Sequence, residues 1–276
     1  MTTARGRRPG PTVRTRVHEL TDDLERDRED RVATEEPLEL RLGWPGADPR
    51  RVWVTMRTPG HDFELAAGYV VHEGLAAPGD LRQVAYCTDR DLTDAQEFNV
   101  VTVTLGTAPA LDPADRHAGF GAGSACGVCG KDSIAAVLDV PHAPAWTGAL
   151  PEPAVVRRLP RLLREAQSVF ARTGGVHAAG LFSAAGETLA VREDVGRHNA
   201  VDKVTGARVL AGQPTAEACL VVSGRAGFEL AQKAVAAGIG ALVSVGAPSS
   251  LAVHLARGAG LTLYGFTSAD RCVRYT

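Results

Sequence analysis

Apolar and polar residues alternate with period two in two stretches of the first half of the chain. These stretches, residues 38–42 and 52–56, have a Pro-Gly turn between them and predict a β-hairpin. Residues 63–75 then carry apolar side chains at helical spacing, and Asp62 is placed to cap that helix. Two further strands are predicted at residues 84–87 and 98–104, with Cys87 facing the interior as a small apolar residue. We therefore expect a small α+β lobe over residues 36–113.

The second half changes to strands and helices that alternate with short connections. An amphipathic helix, interrupted near Pro160, is predicted over residues 155–172. Residues 176–183 and 187–192 predict a β-hairpin around Ala184-Ala185-Gly186. Further strands are predicted at residues 218–223, 241–245 and 261–266, and helices at residues 196–210, 227–237 and 249–257. This order predicts the α/β class, with a mostly parallel sheet covered by helices on both faces over residues 114–276. In such sheets ligands bind beyond the carboxyl ends of the strands.

The first 35 residues are rich in charged residues, Gly and Pro, and large apolar residues are few. This composition predicts a solvated, disordered tail over residues 1–35, in which residues 17–31 could form a short helix.

Composition and charge restrict the possible partners. The chain has 276 residues, 45% of them apolar, and a formal net charge of −2. We therefore expect no nucleic-acid or membrane partner, and no apolar run approaches the ~20 residues that span a bilayer. The five cysteines are an odd number, which argues against a disulfide framework and for a reducing cytoplasm.

Cys126 and Cys129 form a C-x-x-C pair inside a glycine-rich loop, and a run of helix formers begins near Lys131. A helix N-terminus close to a thiol lowers the thiol pKa, so that thiolate is available near neutral pH. Spacing alone leaves a thiol–disulfide redox pair and a persulfide carrier equally favoured. A structural zinc site is disfavoured, because the chain has neither a second C-x-x-C nor a His pair.

Polar residues collect where the predicted strands end. Arg197, His198 and Lys203 begin one helix, and Ser223-Gly224-Arg225 begins the next. Backbone N–H groups and arginines at such helix starts bind phosphate, although a solvated first turn explains the same residues. His177 begins a strand between glycines; its surroundings lack the Glu and the downstream Cys pair of a zinc deaminase.

Several of these stretches together resemble the formate dehydrogenase accessory sulfurtransferase family, also called the FdhD/NarQ family. The resemblance covers the chain from about Glu36 to the C-terminus. The stretches that carry it are Met56-Arg57-Thr58-Pro59-Gly60-His61-Asp62, His72-Glu73-Gly74, Cys126-Gly127-Val128-Cys129-Gly130, Thr173-Gly174-Gly175-Val176-His177, Asp194-Val195-Gly196-Arg197-His198-Asn199-Ala200-Val201-Asp202-Lys203, Ser223-Gly224-Arg225 and Gly265-Phe266-Thr267.

The resemblance implies a sulfurtransferase with a cysteine persulfide intermediate. A cysteine desulfurase would load Cys126, assisted by Cys129, and the sulfur would pass to a molybdenum or tungsten bis-guanine-dinucleotide cofactor (Mo-bis(molybdopterin guanine dinucleotide)) that formate dehydrogenase needs. It also implies a cytidine-deaminase-like three-layer second domain and a homodimer. The cofactor, or a guanine nucleotide that mimics it, would be bound by the segment Phe266, Thr267, Ser268, Ala269, Asp270 and Arg271. Ser268-Ala269 differs from the Arg-Gly common in the family. We add His177, Arg197, His198, Lys203, Ser223, Gly224 and Arg225 as candidate cofactor ligands.

Overall fold

The N-terminal lobe is a four-stranded sheet with one helix packed on it. The computed structural model describes residues 8–89, 91–94, 96–109 and 143–276. The lobe contains β3 (Glu36–Trp44), β4 (Ala47–Arg57), α1 (Asp62–His72), a 3₁₀ turn (Pro78–Asp80), β5 (Leu81–Tyr86) and β6 (Val100–Leu105), with sheet order β4-β3-β6-β5. The alternation in β3 buries Leu38, Leu40 and Leu42 against α1. The hairpin and helix predictions for this lobe are confirmed.

Two side chains of this lobe differ from their predictions. Asp62 does not cap α1: its carboxylate is buried and accepts hydrogen bonds from Arg57 Nε (3.1 Å) and Tyr86 Oη (2.6 Å), and the N-cap position is His61. Cys87 is half-buried rather than interior, because the chain leaves the sheet just after β5 ends at Tyr86. Its Sγ donates to Asp89 Oδ2 at 3.0 Å.

Residues 12–33 form an antiparallel hairpin instead of the predicted tail or helix. Its strands are β1 (Thr12–Leu20) and β2 (Glu25–Ala33), paired from Thr12 with Ala33 to Leu20 with Glu25. Ion pairs between the strands, such as Arg26 to Glu19 at 2.7 Å, stabilise the hairpin. Composition alone predicts that these charged side chains are solvated. The disorder prediction is therefore wrong for these residues. The proposed division at residues 35 and 113 into folding units stays a prediction.

The second lobe is a six-stranded sheet between helices. Its elements are α2 (Pro153–Glu165), α3 (Ser168–Thr173), β7 (His177–Phe182), β8 (Thr188–Asp194), α4 (Arg197–Leu210), β9 (Cys219–Val222), α5 (Phe228–Ala236), β10 (Ala241–Ser244), α6 (Ser250–Ala259), β11 (Thr262–Gly265) and β12 (Val273–Arg274). One apolar core joins α4, α5 and α6 to one face, and a second joins α2 to the other face. The α/β class and the three layers are confirmed.

The sheet is less parallel than predicted. Its order is β12-β11-β10-β9-β7-β8, and only β9, β10 and β11 pair in parallel. β7 runs antiparallel to β8, as expected for the hairpin predicted from residues 176–183 and 187–192, and it also runs antiparallel to β9. The helix predicted over residues 155–172 passes through Pro160 and breaks instead between Glu165 and Ser168. The likeness to cytidine deaminase stays a prediction.

The two lobes meet along α1 and α4. Gly68 of α1 lies against the backbone of Asp202, and Gly206 of α4 lies against the backbone of Glu64, so that a Cβ at either glycine would overlap a carbonyl. Arg192 Nη2 donates to Glu64 Oε1 across the interface at 2.7 Å. Burial raises the pKa of Glu64, but hydrogen bonds and charge from Arg192 and His61 outweigh it and lower the pKa to about 2. Glu64 is therefore ionised near neutral pH.

Among the described residues, no helix is both long enough and apolar enough to cross a membrane.

The glycine contact gives a stability prediction. Gly206→Ala should lower the free energy of unfolding by about 3 kcal/mol, because the helices must separate to admit the methyl group. Gly258→Ala in α6 is the matched control, since nothing lies within 4 Å of its added Cβ. That change should be neutral or stabilising by up to about 1 kcal/mol. Urea denaturation measures both, and equal stabilities of the two variants would contradict the close packing of α1 on α4.

Candidate functional site

A cavity of about 730 Å³ opens at the carboxyl edge of the parallel strands. Ser223, Val245 and Thr267, which follow β9, β10 and β11, line it. His177 lines it as well, because β7 is antiparallel and begins at the edge where those strands end. The volume falls in the range of about 300–1,000 Å³ that is usual for small-ligand sites. These residues therefore meet at the edge where the ligand site is predicted, and the binding of a ligand there stays a prediction.

Helices α2 and α3 supply a wall of the cavity that the sequence reading missed. Arg161, Arg164, Gln167 and Phe170 line it, followed by the glycine turn before His177. The guanidinium carbon of Arg164 lies 3.8 Å from the centroid of the Phe170 ring. The only sequence signal was the arginine-rich polar face of this amphipathic segment, which is also typical of a solvated surface.

His177 lies near Gly224 of the second helix start. A Cβ added at Gly224 would lie 3.6 Å from His177 Nδ1. Burial lowers the pKa of His177, and the positive charges of Arg197 and His198 lower it further. The imidazole is therefore neutral at physiological pH and can both donate and accept a hydrogen bond.

Thr267 is the least satisfied polar group of the site. Its side chain is only 2% exposed, and Oγ1 has no hydrogen-bond partner in the part of the chain that the structure describes. Phe266 before it has a left-handed backbone (φ 49°) and an exposed ring, with Arg271 at 5.5 Å. Ser268 N donates to the Arg271 carbonyl at 2.7 Å, which closes the segment into a turn. Ala269 and Asp270 are exposed at the tip of this turn.

The helix start at residues 197–203 separates into different roles. Arg197 is half-exposed and forms no ion pair with the described residues, so it can still meet an anion. His198 is held by Glu229, with Nε2 2.8 Å from Oε2. Lys203 is buried, with Nζ 2.6 Å from Asp194 Oδ2 and 2.8 Å from the Thr58 carbonyl. The phosphate-binding prediction for Lys203 is wrong, because its buried ammonium group already contacts Asp194 and the Thr58 carbonyl of the other lobe.

The second helix start, Ser223-Gly224-Arg225, has an arginine without an ion pair among the described residues. Ser223 Oγ accepts a hydrogen bond from Ala178 N at 2.9 Å and so fixes the turn to β7. The Gly224 carbonyl accepts from Gly246 N at 3.0 Å. Arg225 is exposed and makes no ion pair within the described ranges. Its side chain is therefore accessible, and its predicted role in phosphate binding stays a prediction.

Cys126 and Cys129 lie outside the described residues, so the predictions for them stay predictions. Within the described residues Cys87, Cys219 and Cys272 are free thiols, and burial raises the pKa of Cys219 far above its usual range. In the same ranges no three His, Cys, Asp or Glu side chains are grouped to hold a metal ion.

The structure defines an α/β protein with a cavity at the carboxyl edge of its sheet. The model of the FdhD/NarQ family matches residues 33–276, and the chain belongs to that family. It is 48% identical over 268 residues to the sulfur carrier protein FdhD of Mycolicibacterium paratuberculosis, covering 96% of this chain and 97% of that protein.

Two further comparisons agree. The sulfur carrier protein FdhD of Streptomyces avermitilis is 46% identical over 92% of this chain and 90% of that protein. A crystal structure from Desulfotalea psychrophila, of a protein described as a formate dehydrogenase accessory protein, superposes with a TM-score of 0.72 over 96% of each chain. At 22% identity this likeness concerns the fold alone.

The revised position of Lys203 predicts a stability effect. Lys203→Met leaves the buried Asp194 carboxylate without its cation and should lower the free energy of unfolding by about 3–5 kcal/mol. Arg257→Met removes the same charge from an exposed position of α6 and should change stability by less than about 0.5 kcal/mol. Chemical denaturation compares the two, and a Lys203→Met protein as stable as the control would contradict this assignment.

Proposed function

We propose that this protein is a sulfurtransferase that carries sulfur as a persulfide on Cys126. The observation that carries the proposal is its similarity, over nearly the full length of both chains, to proteins named as sulfur carriers. In the first step the Cys126 thiolate attacks the terminal sulfur of a cysteine desulfurase persulfide. A Cys126 persulfide forms, and the desulfurase thiolate leaves.

In the second step the sulfur passes to the molybdenum or tungsten bis-guanine-dinucleotide cofactor of formate dehydrogenase, which is the substrate. The terminal sulfur needs two electrons to leave as sulfide. The thiolate of Cys129 supplies them by forming a disulfide with Cys126, and a cellular dithiol reductant restores the pair. The sulfide then replaces an oxygen ligand of the metal, which leaves as water.

The cavity supports this substrate class. A dinucleotide-tailed cofactor carries pyrophosphates, which favour arginines without ion pairs and hydroxyl donors. Arg197 and Arg225 form no ion pair within the described residues, and the buried Thr267 hydroxyl, which lines the cavity, has no hydrogen-bond partner there. We assign cofactor binding to the turn from Phe266 to Arg271 together with His177 and these two arginines.

We place the reaction in the cytoplasm, where thiols stay reduced, and expect the protein to act as a homodimer with cysteine desulfurase and formate dehydrogenase as protein partners.

Loading of Cys126 is the direct test of the carrier role. After incubation with a cysteine desulfurase and cysteine, mass spectrometry should show a gain of about 32 Da on the Cys126 peptide. Cys126→Ala should abolish the gain and formate dehydrogenase activity in cells, whereas Cys87→Ala, at a half-buried thiol of the other lobe, should keep both. Undiminished activity in the Cys126→Ala cells would refute the proposal. Turnover of protein disulfides without a desulfurase, with no mass gain, would favour the thiol–disulfide oxidoreductase instead.

The role of Arg197 is tested by nucleotide binding. Arg197→Ala should raise the dissociation constant for GDP about tenfold, because a charge-assisted hydrogen bond to phosphate is lost. Arg257→Ala removes an exposed arginine from α6 and should bind GDP as the parent protein does. Isothermal titration calorimetry gives both constants, and an unchanged value for Arg197→Ala would remove this residue from the site.

A further inference from the structure

The wall formed by α2 and α3 carries an aromatic ring and a cation in contact. Arg164 and Phe170 both line the cavity, and the guanidinium carbon of Arg164 lies 3.8 Å from the ring centroid. A guanidinium held over a ring presents a broad, flat, positively charged surface. Among the described residues we find no hydrogen bond or ion pair made by the Arg164 guanidinium.

The neighbouring arginine of the cavity wall, Arg161, differs from Arg164 in having a carboxylate partner. Arg161, one turn earlier and also on the cavity, has its Nη1 2.9 Å from Glu165 Oε1. Glu165 thus compensates Arg161 and leaves the charge of Arg164 uncompensated. A free arginine next to a cavity favours a ligand that brings negative charge.

A second observation in the same cavity indicates a ligand. Thr267 is only 2% exposed, and its Oγ1 has no hydrogen-bond partner among the described residues. A buried hydroxyl without a hydrogen bond costs about 1–3 kcal/mol, and a polar ligand atom would remove this cost. The site therefore combines a flat aromatic and cationic surface with an unsatisfied hydroxyl.

We propose that Arg164 and Phe170 form a stacking platform for the base of a purine nucleotide, with Arg164 also contacting its phosphates. The ligand class follows from the wall: a planar base stacks on the guanidinium that covers the Phe170 ring, and the N–H groups of the guanidinium pair with a phosphate. This assignment rests on the proposed function only in identifying the nucleotide as a guanine dinucleotide tail. It places part of the ligand on helices that lie outside the C-terminal turn.

Binding of GDP and of inorganic pyrophosphate by calorimetry tests the platform. Phe170→Leu keeps an apolar side chain but removes the ring, and it should raise the GDP dissociation constant about tenfold, the size expected for one base stack. The same variant should bind pyrophosphate as the parent does. Arg164→Ala should weaken both ligands. Arg158→Ala, an exposed arginine of α2 that does not line the cavity, should weaken neither.

The outcomes separate this inference from the sulfur carrier role. Parent-like GDP binding by both Phe170→Leu and Arg164→Ala, or no GDP binding by the parent, would overturn the platform even if Cys126 loads normally. If the expected binding pattern holds while Cys126 gains no sulfur, the platform stands and the carrier role falls. Thermal melting shows that each variant is folded, and Arg164→Lys, which keeps the charge, should restore pyrophosphate binding but not GDP binding.

Discussion

The contact between α1 and α4 is the constraint on which the rest of the structure depends. Two glycines let these helices approach until side chains elsewhere on them can bridge the lobes. Lys203 then reaches the Thr58 carbonyl, and Asp194 Oδ2 accepts from Thr58 N at 3.1 Å. Because β8 ends at Asp194 and α4 begins at Arg197, the same contact fixes the start of α4 beside the cavity.

Buried charge at this interface continues into α5. His72 Nδ1 lies 2.6 Å from Asp202 Oδ1, and Lys233 Nζ lies 2.7 Å from the same oxygen. Burial lowers the pKa of His72 by more than the negative charge of Asp202 raises it. For Lys233 the negative charges around it, chiefly that of Asp202, together outweigh burial, so the pKa of Lys233 is raised. The carboxylate is thus neutralised by lysine rather than by imidazolium. Such an arrangement tolerates little displacement, because a shift of one helix would leave a charge buried alone.

Sequence reasoning found the elements and the edge of the sheet because their causes are local. Periodicity predicts β3 and α1, and strand–helix alternation predicts which strand ends meet. Sequence reasoning could not predict contacts between residues that are brought together only by the tertiary fold. The sequence does not indicate that Lys203 forms an ion pair with Asp194, whereas Arg197, six residues earlier, forms none with the described residues. The N-terminal hairpin was missed for a related reason: many of its charges find their partners across the strand pair, as between Glu19 and Arg28.

The presence or absence of a carboxylate partner distinguishes the lysine that joins the lobes from the arginines to which we assign a binding role. Folding is stabilised when buried polar groups find partners, so a fold that only needed stability would pair Thr267 Oγ1 as it pairs Lys203. Instead the carboxyl edge keeps an unpaired hydroxyl while the described surroundings leave Arg164, Arg197 and Arg225 without carboxylates. The proposed anionic ligand would compensate these charges and accept or donate a hydrogen bond at the hydroxyl, so that groups which add nothing to the stability of the fold would add to binding.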